Sequence, residues 1–224
     1  MSLSLSWGID DSVVVNQRIY HLDLEYSKVL RWYEMWKDET LSEEYRVFLS
    51  LVMILDGDWD TPPKNYAELI EYVHQDDLTQ LSNAIIHRIV GDQVASTTVT
   101  RDLKGNIIED EQKNFYDIEE DSGYIYASFL MDYQIDLIEA REKGSLHWDK
   151  FNHLLSGLSE GTRFKKVIEI RTMEITNDMP YERKEEIRKA KAAVALKSDR
   201  SSIEFEMMDL KQKREYMEQQ NKNQ

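Results

Sequence analysis

Apolar residues return every three or four positions along most of the chain, and strict alternation is rare. That spacing predicts helices with one buried face. From Asp23, taken as an N-cap, a helix is expected to begin at Leu24. It carries Val29, Leu30, Tyr33 and Trp36, with Trp32 and Met35 widening the stripe. Lys37-Asp38-Glu39-Thr40 breaks the pattern. Ser42 then caps a second helix with Phe48, Leu51, Val52 and Leu55 on one face, so the two read as an antiparallel helical hairpin. A third helix is expected near Asn65 with Leu69, Ile70 and Val73 inward. A fourth, capped by Asp76 or Asp77, carries Leu78, Leu81, Ile85 and Ile89 and ends before Gly91.

Two stretches depart from this period. Val13 to Leu22 is β-branched and reads as a short strand or an extended arm. Asp92 to Asn114 is threonine-rich and then charged, and reads equally as a small hairpin (Thr97–Thr100 against Ile107–Glu109) or a linker.

The block from Tyr124 to Ile175 packs the most aromatic and aliphatic residues at helical spacing. An acidic start at Asp117 to Asp121 leads to a helix bearing Tyr126, Phe129, Leu130 and Tyr133. Ser145 caps the next, with Trp148, Phe151, Leu155 and Leu158. Ser159 or Thr162 caps a third, with Phe164, Val167, Ile168 and Arg171. Tyr126, Phe129, Trp148, Phe151, Leu155, Phe164 and Ile168 are the expected core. Trp148, Phe151 and Leu155 are expected to form one seam with Phe129 and Phe164. Pro180 opens a charged helix to about Leu196, followed by a weaker stripe (Ile203, Met207, Leu210, Met217) and a polar tail expected to be disordered.

The fold class that follows is mainly α: a multi-helix, bundle-like body with a small β-hairpin or extended arm. The organisation read from the pattern is a helical part over 1–91, a polar linker or hairpin over 92–115, a central helical block over 116–200 and a charged extension over 201–224.

Composition narrows the function classes. The net charge of -15 repels a duplex or an anionic membrane. Charge is uneven, however. Arg163 to Arg200 holds 11 Lys/Arg and 7 Asp/Glu, a local +4, which leaves -19 elsewhere (28 - 11 = 17 against 43 - 7 = 36). Such a chain can attract its own copies or an oppositely patterned partner. That basic stretch has only Phe164 and Tyr181 as aromatics, too few for a nucleic-acid platform. With no cysteine, disulfides and thiolate metal sites are excluded. No run approaches the ~18 apolar residues of a membrane span, and the start lacks a signal-peptide pattern, so a cytoplasm is the expected location.

Candidate chemistry is sparse. His147 and His153 are six apart, on different helix faces, and His21, His74 and His87 are isolated, so no histidine pair has metal-ligand spacing. Glu119-Glu120-Asp121 suits a helix start better than acid–base catalysis. No phosphate loop, dinucleotide fingerprint or nucleophile elbow occurs. No catalytic residue, metal or cofactor is therefore expected, and Trp32 and Trp36 read as core rather than as a contact patch.

The central block resembles the bacteriophage gp-fifteen family of Gram-positive siphophages and prophages. The residues that carry the resemblance are Tyr126-Ala127-Ser128-Phe129, Ile135-Asp136-Leu137, Leu146-His147-Trp148 with Lys150-Phe151, Leu155-Ser156-Gly157-Leu158 and Ile170-Arg171-Thr172. Two features depart from the family pattern: Asp149 follows Trp148 where a second aromatic is common, and the extension past Leu196 is long. The resemblance implies a protein encoded near the tape-measure gene. Its expected role is a tail assembly chaperone that binds the tape-measure protein, and possible further partners are other tail proteins or a second copy. The alternative is a structural component retained in the tail. No functional residue carries over, because the motif itself reads as core packing.

Overall fold

The computed structural model describes residues 8–57, 59, 61–94 and 115–200, with only the backbone described over 91–94. Among these the chain forms two β-strands, nine α-helices and one 3-10 turn, so it is mainly helical with a small hairpin. It divides into two compact units. The first comprises Met1–Asp110 and Leu137–Ser156, the second Glu111–Asp136 and Gly157–Gln224. The expected hairpin over 97–109 and the stripe from Ile203 onward lie outside the described residues.

The first unit begins with β1 (Ser12–Val15) and β2 (Arg18–His21), antiparallel, with Val14 opposite Ile19. Asn16 and Gln17 both have positive φ, 46° and 66°, as a two-residue hairpin turn matched to strand twist requires. Helix α1 spans Tyr26–Lys37 and α2 Glu43–Ile54. Ser42 caps α2 as the sequence indicates, its hydroxyl accepting from the Tyr45 N–H. The cap of α1 is Glu25 rather than Asp23. The chain stays extended through Leu24 and Glu25, where the Leu24 carbonyl accepts from the Trp148 N–H at 2.8 Å and Glu25 bridges His147.

Helix α3 (Tyr66–Leu69) is a single turn capped by Asn65. Leu69 and Val73 are buried, but the turn ends too soon to carry Ile70 inward. A 3-10 turn at Gln75–Asp77 leads into α4 (Leu78–Val94), which runs through Gly91; a helix tolerates an interior glycine at a cost of about 1 kcal/mol. The first unit also contains α6 (Leu137–Glu142), which the sequence reading did not separate, and α7 (Trp148–Ser156). Ser145 closes α6 by bonding back to the Ala140 carbonyl. The start of α7 is capped instead by His147, whose Nδ1 accepts from the Asp149 N–H at 3.0 Å.

The core of this unit is a run of aromatic contacts joining α1 to α7. Tyr26 stacks on Phe151 at 5.1 Å, Phe151 on Trp148 at 5.7 Å, and Trp148 meets Tyr33 at 5.9 Å; Tyr33 then meets Trp32, and Trp32 meets Trp36. Val29, Leu51, Ile54, Leu81 and Ile85 are fully buried. Ser50 Oγ accepts from both indole N–H groups, Trp32 at 2.9 Å and Trp36 at 3.1 Å, and donates to the Arg46 carbonyl.

The second unit contains α5 (Ser122–Tyr133), α8 (Arg163–Thr172) and α9 (Tyr181–Ala193). The buried face of α5 is Ile125, Ser128 and Phe129, not the expected stripe through Leu130, which is 45% exposed. Gln134, at φ 55°, ends the helix in the left-handed conformation. Ser128 Oγ donates to the Tyr124 carbonyl and accepts from the Phe164 N–H at 3.1 Å, fixing the start of α8 against α5. Thr162 caps α8 through its hydroxyl, and Pro180 opens α9.

Residues 116–200 therefore do not form one block, and the expected aromatic seam divides. Phe129 and Phe164 are buried in the second unit, Trp148, Phe151 and Leu155 in the first. The backbone bonds that tie residues 146–148 to residues 24–26 draw this stretch into the N-terminal unit. Tyr126 and Ile168 are half-buried.

Candidate functional site

His147, Asp149, Asp136 and Arg171 of the central motif are engaged within the fold. In the first unit the Arg88 guanidinium donates through NH1 and NH2 to both oxygens of Asp149, at 3.1 and 2.7 Å. NH2 also reaches Asp11 at 3.1 Å. His147 Nε2 lies 2.8 Å from the other Asp11 oxygen. Because Nδ1 already accepts from the Asp149 amide, Nε2 is the nitrogen that carries the proton and donates to Asp11. Burial opposes the charge on Arg88, but its two carboxylate partners more than offset this and hold its pKa above the ordinary arginine value. The cluster ties the segment before β1 to α4 and to the start of α7.

A second clamp holds the hairpin. Asp77, expected as a helix cap, is fully buried and accepts from Asn16 Nδ2 at 2.7 Å, Arg18 NH1 at 3.0 Å and the Tyr20 hydroxyl at 2.7 Å. The Tyr20 hydrogen bond, followed by those of Asn16 and Arg18, holds the Asp77 carboxyl at a pKa of about 2. Burial and the same hydrogen bond push the Tyr20 phenol up.

The third clamp lies in the second unit. Arg171 donates to both oxygens of Asp121, at 2.6 and 2.8 Å, and to the carbonyls of Phe115 and Val194. It joins α8 to the start of α5 and the end of α9. Asp136 of the motif accepts from the Tyr126 hydroxyl at 3.1 Å. Arg88, Asp11, Asp77 and Asp121 carry no local signal of these roles, since the side chains that clamp them lie 50 or more positions away, as with Arg88 and Asp149 (61 apart) or Arg171 and Asp121 (50 apart).

A depression with both apolar and polar lining also lies in the first unit. It sits between β2, the end of α2 and the loop after α3, lined by Ile19, Leu55, Gly57, Trp59, Tyr72 and Val73, among others. Leu55 and Val73 are buried, whereas Ile19 is 64% and Tyr72 48% exposed. Trp59 meets Tyr72 edge to face at 5.3 Å. The indole lies directly against the Gly57 backbone, where an added Cβ would come within 2.2 Å of the ring. Val14, the cross-strand neighbour of Ile19, is exposed as well.

Among the described residues no group of histidines and carboxylates could hold a metal ion, and no helix is long and apolar enough to cross a membrane. No curated protein and no solved structure matches the chain. The sequence model of the family described as "Bacteriophage Gp15 protein" matches residues 9–196, which spans both units and every motif segment described above. This chain belongs to the bacteriophage Gp15 protein family.

Proposed function

We propose that this phage protein is a tail assembly chaperone that works by contact rather than by chemistry, binding the tape-measure protein of its phage before the tail tube closes around it. One observation carries the reading. Side chains that would attract interest as catalytic groups (His147, Asp149, Asp77, Arg171) are engaged by partners in their own unit, while large apolar side chains stand in solvent at Val14, Ile19 and Tyr72. A long helical client exposes apolar stripes that such surfaces cover, and the net charge of -15 keeps the covered client soluble. The protein acts in the host cytoplasm and leaves the tail on completion.

The test is co-expression with the tape-measure protein, followed by pull-down at low and at moderate salt. Apolar contact should dominate, since exposed ion pairs contribute only ~0–1 kcal/mol each, so the complex should survive moderate salt. A tape-measure protein that is equally soluble alone and does not co-purify refutes the reading. Mass spectrometry of purified virions separates a chaperone, absent from the particle, from a component retained in the tail.

A further inference from the structure

We propose that the depression at Ile19, Trp59 and Tyr72 is the seat for one large apolar side chain of a basic amphipathic helix on the client. The helical form of the client rests on the chaperone reading above; the apolar anchor and its basic flanks rest on the site itself.

Three observations meet there. The seat joins fixed and open members: Leu55 and Val73 are buried, the Trp59 ring lies between Tyr72 and the bare Gly57 backbone, Ile19 and Tyr72 stand open to solvent, and Asp56 adds a carboxylate to the lining. Ile19 is also presented in a fixed position. Side chains alternate along a strand, so Arg18 and Tyr20 reach Asp77 while Ile19 between them is left with Val14 on the other face. A contact held this way loses little conformational freedom on binding. Finally, the charge around the seat selects the partner. Among the described residues from Asp56 to Asp76, four carboxylates (Asp56, Glu68, Glu71, Asp76) stand against Lys64 alone, and Asp56 lines the seat itself. An apolar anchor flanked by Lys or Arg is complementary to that stretch, whereas an acidic helix is repelled.

The test uses the full chain with two kinds of probe. One is the co-expressed tape-measure protein. The other is a pair of synthetic helical peptides with the same leucine stripe, flanked by Lys in one and by Glu in the other. The Lys-flanked peptide should bind at least ~tenfold more tightly than the Glu-flanked one. Ile19→Ser and Tyr72→Ser should each weaken it by roughly tenfold, as loss of a central apolar contact does, with the far-UV spectrum unchanged. Glu71→Lys with Asp56→Lys should erase the preference between the peptides.

If the tape-measure protein binds the parent chain and both serine variants equally, the seat is wrong and the chaperone reading stands. If it fails to bind the parent chain while the Lys-flanked peptide binds at Ile19 and Tyr72, the chaperone reading fails and the seat stands. Failure of both probes to bind, or no preference between the peptides, overturns the seat. So does sedimentation showing that Ile19→Ser dissociates an oligomer of this chain, because the occupant is then a second copy.

Discussion

Arg88 and Asp149 lie 61 positions apart and meet in a two-pronged ion pair, with both side chains largely shielded from solvent. Arg88, itself paired with Asp11, supplies the countercharge that a shielded Asp149 needs. Breaking a buried pair leaves its partner charged and unpaired, at roughly 3–5 kcal/mol. Arg88→Met should therefore lower the urea midpoint sharply, and Arg88→Met with Asp149→Leu should recover much of the loss. A double variant as unstable as the single one would show that the pair is not the source.

Asp77 makes stability depend on pH at the acid end. Its folded pKa of about 2 lies below the ordinary 3.8, so the folded state favours the charged form. The resulting stabilisation is complete above 3.8 and is lost as pH falls from there through about 2. Urea midpoints measured between pH 5 and pH 2 should fall more steeply for the parent chain than for Asp77→Asn, which has no proton to gain. Parallel profiles would rule the clamp out.

Ser50 satisfies two indole N–H groups with one oxygen. Ser50→Ala removes that acceptor and leaves Trp32, almost fully buried, without it. A buried donor left unpaired costs about 1–3 kcal/mol. The measurement is the denaturation midpoint of Ser50→Ala, which should fall although the side chain shrinks by a single atom. Ser50→Thr, which keeps the hydroxyl, should lie closer to the parent.

Phe151 connects Tyr26 to Trp148 in the aromatic run of the first unit. Phe151→Ala should destabilise by about 3–5 kcal/mol, the usual cost of truncating a buried aromatic. Calorimetry should show a markedly lower Tm. An unchanged Tm with lost client binding would instead mark Phe151 as a contact residue.

Gly57 makes room for Trp59. A methyl group there would overlap the indole, so Gly57→Ala must displace the ring. The expected outcome is a shifted tryptophan emission relative to the parent, a shift that disappears when Trp59→Phe is added. Identical spectra for Gly57→Ala and the parent would show that the ring does not depend on the bare backbone.

The helical character of the chain was legible in the sequence, because a period of three to four apolar residues leaves one strongly favoured way to bury them. Ser42, Asn65 and Thr162 act as caps because their side-chain oxygens reach N–H groups only a few residues ahead, a purely local event. The family motif was legible too, as a linear pattern. What tertiary structure alone decided is pairing at a distance. The Leu24–Trp148 backbone bond moved the cap of α1 to Glu25 and drew Leu137–Ser156 into the N-terminal unit, which divided the expected aromatic seam. Asp77 left the capping role for three donors on a hairpin some 60 residues earlier. The apolar seat needed the same kind of information: Ile19, Trp59 and Tyr72 come from separate segments, and periodicity within one element cannot show that they converge. Local propensity is encoded residue by residue, whereas a clamp or a seat exists only once long-range contacts have closed.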